Sequence, residues 1–151
     1  MNATTTHDAL SPISTSSPAA ALGAASGVPR LLLRLEGAAT LAGAVFAYGA
    51  LGGGWGMFAL LFLVPDLSML GYLAGRRTGA ISYNAAHNLL GPAMLAALGI
   101  ATSAHGLLAV ACIWVAHVGF DRMLGYGLKY GSGFGDTHLG RLGSTNVTRT
   151  R

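Results

Sequence analysis

The run from Gly106 to Tyr126, GLLAVACIWVAHVGFDRMLGY, decides the fold. From Gly106 to Phe120 it holds no Asp, Glu, Lys or Arg, which is too long and too apolar for a strand or for the half-wet helix of a water-soluble domain. A helix needs about 20 mainly apolar residues to cross the hydrocarbon of a bilayer. Three more stretches come close, roughly Leu31 to Leu51, Met57 to Gly75 and Ala80 to Ala101. The expected fold class is therefore all-α, an integral membrane bundle of four helices. The connections Gly52-Gly53-Gly54-Trp55-Gly56, Arg76-Arg77-Thr78-Gly79 and Thr102-Ser103-Ala104-His105 suit only tight hairpins, which gives an up-down-up-down order.

Composition agrees with that reading. Of 151 residues, 52% are hydrophobic and 9% are charged, whereas a water-soluble domain carries about 25% charged residues. The surface must meet lipid. A net charge of +4 and a pI near 9.7 would suit a nucleic-acid partner, but the Lys and Arg residues form no stripe and lie between or beyond the apolar runs. Nucleic acid is excluded as a partner on that ground. Cys112 has no intrachain partner, so it reads as a small packing residue rather than part of a disulfide framework.

The basic residues report topology. Arg30 and Arg34 precede the first span, Arg76 and Arg77 separate the second and third, and Arg122, Lys129, Arg141, Arg149 and Arg151 end or follow the fourth. All fall on one side, and the opposite loops hold none. The positive-inside bias places that side, with both termini, in the cytoplasm, and Trp55 at the other boundary suits an interfacial indole. Residues 1–29, rich in Ser, Thr, Ala and Pro and without the basic start of a secretory signal, read as a disordered cytoplasmic tail. Residues 30–126 form the transmembrane domain, and residues 127–151 a glycine-rich cytoplasmic segment. The 23 glycines suit close backbone approach in lipid, with Gly71, Gly75 and Gly79 four apart and Gly43 paired with Ala47.

Polar side chains inside the spans are costly in hydrocarbon and belong on the bundle interior or in a wet cavity. The first span carries Glu36 and Thr40, the second Asp66 and Ser68, the third Asn84, His87 and Asn88, and the fourth His117 and Asp121. At 100° per residue, Asn84, His87, Asn88 and Gly91 share one helix face, and His117 and Asp121 stack one turn apart. At ~1.5 Å rise per residue, Glu36, Asp66, Asn84, His87, His117 and Asp121 all lie within ~6 to 15 Å of the cytoplasmic boundary. A layer of carboxylates, imidazoles and amides at one depth predicts a pocket open to the cytoplasm. Pro65 removes a backbone hydrogen bond just before Asp66 and kinks the second helix. The segment after the fourth span is too glycine-rich for a helix, and we expect it to fold back as a lid that brings Asp136 and His138 to the pocket.

Several runs together resemble a known family: Leu32-Leu33-Arg34-Leu35-Glu36-Gly37, Val64-Pro65-Asp66-Leu67-Ser68, Tyr83-Asn84-Ala85-Ala86-His87-Asn88, His117-Val118-Gly119-Phe120-Asp121-Arg122 and Gly135-Asp136-Thr137-His138-Leu139-Gly140. These look like the bacterial membrane family catalogued as domain of unknown function 4260, over roughly Arg30 to Gly143. The resemblance implies a bacterial plasma-membrane setting and carries no activity with it.

Each polar group has a functional and a structural reading. His117 with Asp121 is a metal pair or proton couple in which the carboxylate orients the imidazole, or else a buried hydrogen bond between helices. His87 supplies a further imidazole, while Asn84 and Asn88 also serve as interhelical glue worth ~0.6 to 2 kcal/mol. Asp66 is the chief catalytic candidate, because a lone carboxylate in the membrane needs a partner or a proton. Glu36 pairs more naturally with Arg34 or Arg122 at the interface, and Arg122 snorkels. No phosphate loop, Cys-x-x-Cys pair or His-Glu-x-x-His motif occurs, which removes support for nucleotide hydrolysis and the standard zinc sites. Three functions stay open. One is a divalent-metal enzyme acting on a lipid or other small amphiphile, with His87, His117, Asp66 and Asp121 as ligands. The others are a proton-coupled carrier or channel, for which four helices would need a homodimer, and a non-catalytic membrane scaffold.

Overall fold

A computed structural model of the chain describes residues 23–141. The sequence expectations for residues 1–22 and 142–151 lie outside the described residues. Five α-helices follow one another: α1 (Gly27–Ala50), α2 (Trp55–Phe62), α3 (Arg76–Ala86), α4 (Leu90–Ala101) and α5 (His105–Leu124). A 3-10 helix, Val64–Ala74, continues α2, and a two-stranded antiparallel ribbon, β1 (Asp136–Thr137) and β2 (Gly140–Arg141), closes the described chain.

Among the described residues, three helices are long and apolar enough to cross a membrane: Gly27–Ala50, Trp55–Ala74 and His105–Leu124. Their outward faces are compatible with a lipid bilayer. Phe46 is 79% exposed and Leu73 88%, the kind of apolar surface that marks contact with a membrane or a partner. Inside, Tyr48, Ala109 and Ile113 form a small core against Phe58 and Phe62, and the Tyr48 hydroxyl donates to the Gly54 carbonyl at 2.7 Å.

The tightest junction is between α1 and α5, where two glycines let backbone meet backbone. A Cβ on Gly37 would lie 2.6 Å from the Met123 nitrogen, and one on Gly119 2.6 Å from the Leu41 nitrogen. Gly43, singled out from sequence as half of a packing pair, faces open space instead.

The third expected span is not one helix. It breaks at His87, Asn88 and Leu89 into α3 and α4, so the single face drawn through Asn84, His87, Asn88 and Gly91 is corrected. The cause is local. Pro92 has no N–H to give the carbonyl four residues back, and Asn88 terminates both helices at once. Its side-chain amide donates to the Asn84 and Ala85 carbonyls at 2.7 and 2.9 Å, and its carbonyl oxygen accepts from the Leu90 N–H at 2.8 Å.

The second expected span also departs from a regular α-helix. From Val64, with Pro65 in its first turn, it winds as a 3-10 helix for 11 residues, a long run for a form that seldom exceeds four. Three residues per turn makes positions three apart eclipse. Val64, Leu67, Leu70 and Leu73 are accordingly all exposed, a pure aliphatic stripe. Another face turns inward, where the Ser82 hydroxyl donates to the Ser68 carbonyl at 2.8 Å and Gly71 abuts Ser82. The remaining face carries Asp66, Met69 and Tyr72.

Gly125 ends α5 in the left-handed conformation, with φ 95°, and the Tyr126 N–H returns to the Asp121 carbonyl at 2.8 Å. That cap turns the chain back onto the bundle. Asn84 then clamps it from both sides, its amide donating to the Lys129 carbonyl at 2.9 Å while its oxygen accepts the Lys129 N–H at 2.7 Å. The Ala25 N–H joins the same assembly by donating to the His138 carbonyl at 2.8 Å.

Candidate metal centre

Four side chains from three elements converge. Asp66 comes from the first turn of the 3-10 helix, His87 from the residue that ends α3, and His117 and Asp121 from successive turns of α5. Each offers one ligand atom, and these atoms all lie within 4.8 Å of one another. The His117 and His87 Nε2 atoms are 3.0 Å apart. His87 Nε2 is 3.5 Å from both Asp66 Oδ1 and Asp121 Oδ2, and His117 Nε2 is 3.6 Å from Asp66 Oδ1.

These separations are informative. At 3.5 to 3.6 Å the nitrogen-carboxylate contacts are too long for good hydrogen bonds. A tetrahedral ion with bonds of about 2.0–2.1 Å, however, holds its ligand atoms about 3.3–3.4 Å apart. The observed distances bracket that value, and two imidazoles with two carboxylates suit a divalent first-row transition ion. Both histidines are buried, at 4% and 1% exposure, whereas the Asp66 side chain keeps 35%. The cluster is closed on its imidazole side and open on its carboxylate side.

Surrounding groups orient these ligands. His87 Nδ1 donates to the Tyr83 carbonyl at 2.9 Å, which leaves the Nε2 lone pair aimed at the cluster, the arrangement usual for a ligating histidine. The Tyr83 ring stacks on His87 at 3.7 Å between centroids, and its hydroxyl donates to Asp121 Oδ2 at 2.8 Å. Phe62 packs edge-on against His117. The His117 Nδ1 atom is buried without a hydrogen-bond partner, so no second bond selects its tautomer.

On the open side lies a cavity of about 390 Å³, lined by Asp66, Asp121 and Tyr83 from the bundle and by Tyr126, Lys129 and Phe134 from the tail. The tail does fold back over the cluster, but not with the residues expected of it. Asp136 accepts from the Ser132 hydroxyl at 2.9 Å, and His138 Nδ1 accepts from the Leu128 N–H at 2.8 Å. Both belong to the tail's own framework. Lys129 and Phe134 face the cavity instead. Burial pulls the Lys129 ammonium below its usual pKa, with the Asp121 charge opposing. Burial, aided by the Arg122 charge and opposed by a backbone hydrogen bond at Leu128, holds the His138 imidazole below its ordinary value.

Of the residues singled out by sequence, the structure brings together Asp66, His87, His117 and Asp121. Asn84 touches the site only through the tail that it clamps, and Asn88 caps helices. Glu36 is exposed on α1 and, among the described residues, forms no ion pair with Arg34 or Arg122; Arg34 Nε donates to the Met123 carbonyl at 2.8 Å instead. Sequence reasoning passed over Tyr83 and Lys129. Tyr83 lies four residues before His87, a spacing that could have flagged it. Nothing local marks Lys129.

A family model described as domain of unknown function 4260 matches residues 30–142. The chain belongs to that family. The match covers all four converging residues and most of the tail, so cluster and lid both fall within the family's extent. No curated protein and no solved structure matches the chain.

Proposed function

We propose that this family member is a multi-pass protein of the bacterial plasma membrane that holds one divalent transition-metal ion through Asp66, His87, His117 and Asp121, and uses it as an enzyme on an amphiphilic substrate. The observation that carries the reading is the convergence of four ligand atoms within 4.8 Å of one another, with nitrogen-carboxylate separations of 3.5 to 3.6 Å that are long for hydrogen bonds and close to the spacing around a shared ion. In this reading α3 and α4 together make one crossing. The chain then crosses four times in up-down order, with both termini cytoplasmic. The contact of Arg34 with Met123 and of the Tyr72 ring with Phe134 supports this, since both bring basic segments and tail to one end.

Asp66, His87, His117 and Asp121 would hold the ion, and if it took a further ligand on the open carboxylate side it would supply Lewis acidity and a water whose proton is easily lost. The reaction class that suits it is hydrolysis, in which water gives its hydroxyl to an acyl or phosphoryl centre and its proton to the departing oxygen. The chain's own part is to hold four ligands in a dry layer, to orient His87 through the Tyr83 carbonyl, and to restrain Asp121 through the Tyr83 hydroxyl.

Elemental analysis of protein purified in mild detergent, without chelator and with metals supplied, tests this. Near-stoichiometric metal is expected in the wild type, with loss in folded His117→Ala and Asp66→Asn variants. Metal-free wild type across such preparations would sink the reading and leave a proton-coupled pair or structural glue.

A further inference from the structure

Lys129 stands over the carboxylate side of the cluster although it comes from the tail. It is 4% exposed and shares the cavity with Asp66 and Asp121. Its Nζ lies 3.8 Å from the centroid of the Phe134 ring and 4.6 Å from that of Tyr83. The Phe134 carbonyl accepts from Nζ at 3.1 Å, which occupies one of the ammonium's three donors. Neither Asp66 nor Asp121 forms an ion pair with it. Burying an ammonium this far without a direct ion pair to these carboxylates is costly, and the double clamp by Asn84 keeps its backbone from withdrawing.

Charge balance then selects a ligand. Asp66 and Asp121 bring two negative charges, which a divalent ion cancels, and Lys129 leaves one positive charge over. Beyond these charges and the Tyr83 and Tyr126 rings, the cavity wall is Met69, Phe120, Leu124 and Phe134, all apolar. Leu124 and Phe134 are 45% and 50% exposed, so the wall continues to the surface that would meet the lipid headgroups. We infer that the loaded site takes the anionic head of a single-chain amphiphile, a carboxylate or phosphate held between the ion and the Lys129 ammonium, with the chain along that apolar wall. This rests on the ion reading above. A small free anion would meet the charge and leave the wall unused.

Cobalt(II) tests both, because its visible bands respond to a new ligand. The full chain in neutral detergent is loaded with Co²⁺ and titrated with dodecyl phosphate, inorganic phosphate and dodecyltrimethylammonium. Dodecyl phosphate is expected to shift the bands, inorganic phosphate to do so about tenfold or more weakly, and the cationic amphiphile to leave them unchanged. Lys129→Gln should weaken the dodecyl phosphate response about tenfold or more, with Lys129→Arg retaining most of it. Protein that binds Co²⁺ but does not respond to dodecyl phosphate overturns this inference and leaves the ion reading standing. So does a Lys129→Gln variant that keeps the wild-type cobalt spectrum and titrates like wild type. Equal responses to both phosphates would replace the amphiphile by a free anion. Failure to bind Co²⁺ overturns both readings together.

Discussion

The α1–α5 pair and the half built from the 3-10 helix, α3 and α4 solve opposite problems with the same kind of residue supply. The first is continuous, pressed backbone to backbone at Gly37 and Gly119, and contributes His117 and Asp121 from a straight helix. The second is interrupted at Pro65 and again at Asn88, and it delivers Asp66 and His87 from the ends of elements. A regular helix can place ligands only one turn apart on its own surface. Breaks let side chains from different crossings reach one point. In a membrane such breaks are tolerated where freed backbone groups find partners, and Asn88 and Ser82 supply them here.

The comparison can be broken first at the rigid pair. Gly119→Val should cost about 3 kcal/mol or more, since its new Cβ meets the Leu41 backbone rather than a movable side chain. Gly43→Ala, facing open space in the interior of α1, should leave the melting temperature in detergent unchanged or slightly raised, since Ala favours the helix over Gly. If the two variants melt alike, the close crossing is not what holds α1 to α5.

On the interrupted side, Tyr83→Phe removes the hydroxyl from Asp121 and keeps the ring on His87. Metal affinity should fall about 10- to 100-fold with the fold intact, as followed by competition with a chelator. Unchanged affinity would mean that Asp121 needs no such support.

Asn84→Ala removes both hydrogen bonds to Lys129, a loss of about 1 to 3 kcal/mol to tail docking. Trypsin should then cut after Lys129 in the variant well before it does in the wild type, while the bundle core stays resistant. Equal cleavage would show that the ribbon and Phe134 hold the tail without the clamp.

The smallest effect concerns pH. Burial lowers the His138 pKa in the docked tail, so the undocked tail binds the proton more readily and docking weakens as pH falls through the ordinary histidine value of about 6.5. It levels off once the docked imidazole also titrates. The Leu128 N–H, which donates to His138 Nδ1, should lose exchange protection over that range, and His138→Asn should flatten the dependence. Protection that rises on acidification would reverse the sign and point to a counter-charge facing the imidazole.

Much of this could be read from residue order. Apolar length alone marked the three helices that are long and apolar enough to cross a membrane, a length that the hydrocarbon thickness imposes, but it ran α3 and α4 together as a fourth. Matching depth picked out Asp66, His87, His117 and Asp121. It also admitted Glu36, since depth says nothing of which way a side chain faces. The period-three stripe of Val64, Leu67, Leu70 and Leu73 was there to be seen, as was Pro92, but an α-helical repeat of 3.6 hides both.

The sequence by itself determined the apolar lengths, the placement of basic residues between and beyond the apolar runs and the few costly polar groups, because each of these is a matter of solvent and of one residue at a time. Only the tertiary structure decided which polar groups meet, that Asn88 ends helices instead of lining a site, and that Lys129 rather than Asp136 or His138 closes over the carboxylates. Those outcomes depend on where separate elements cross and break. Two glycines set the α1–α5 distance, a proline and an asparagine set the kinks, and a left-handed Gly125 sets the return of the tail.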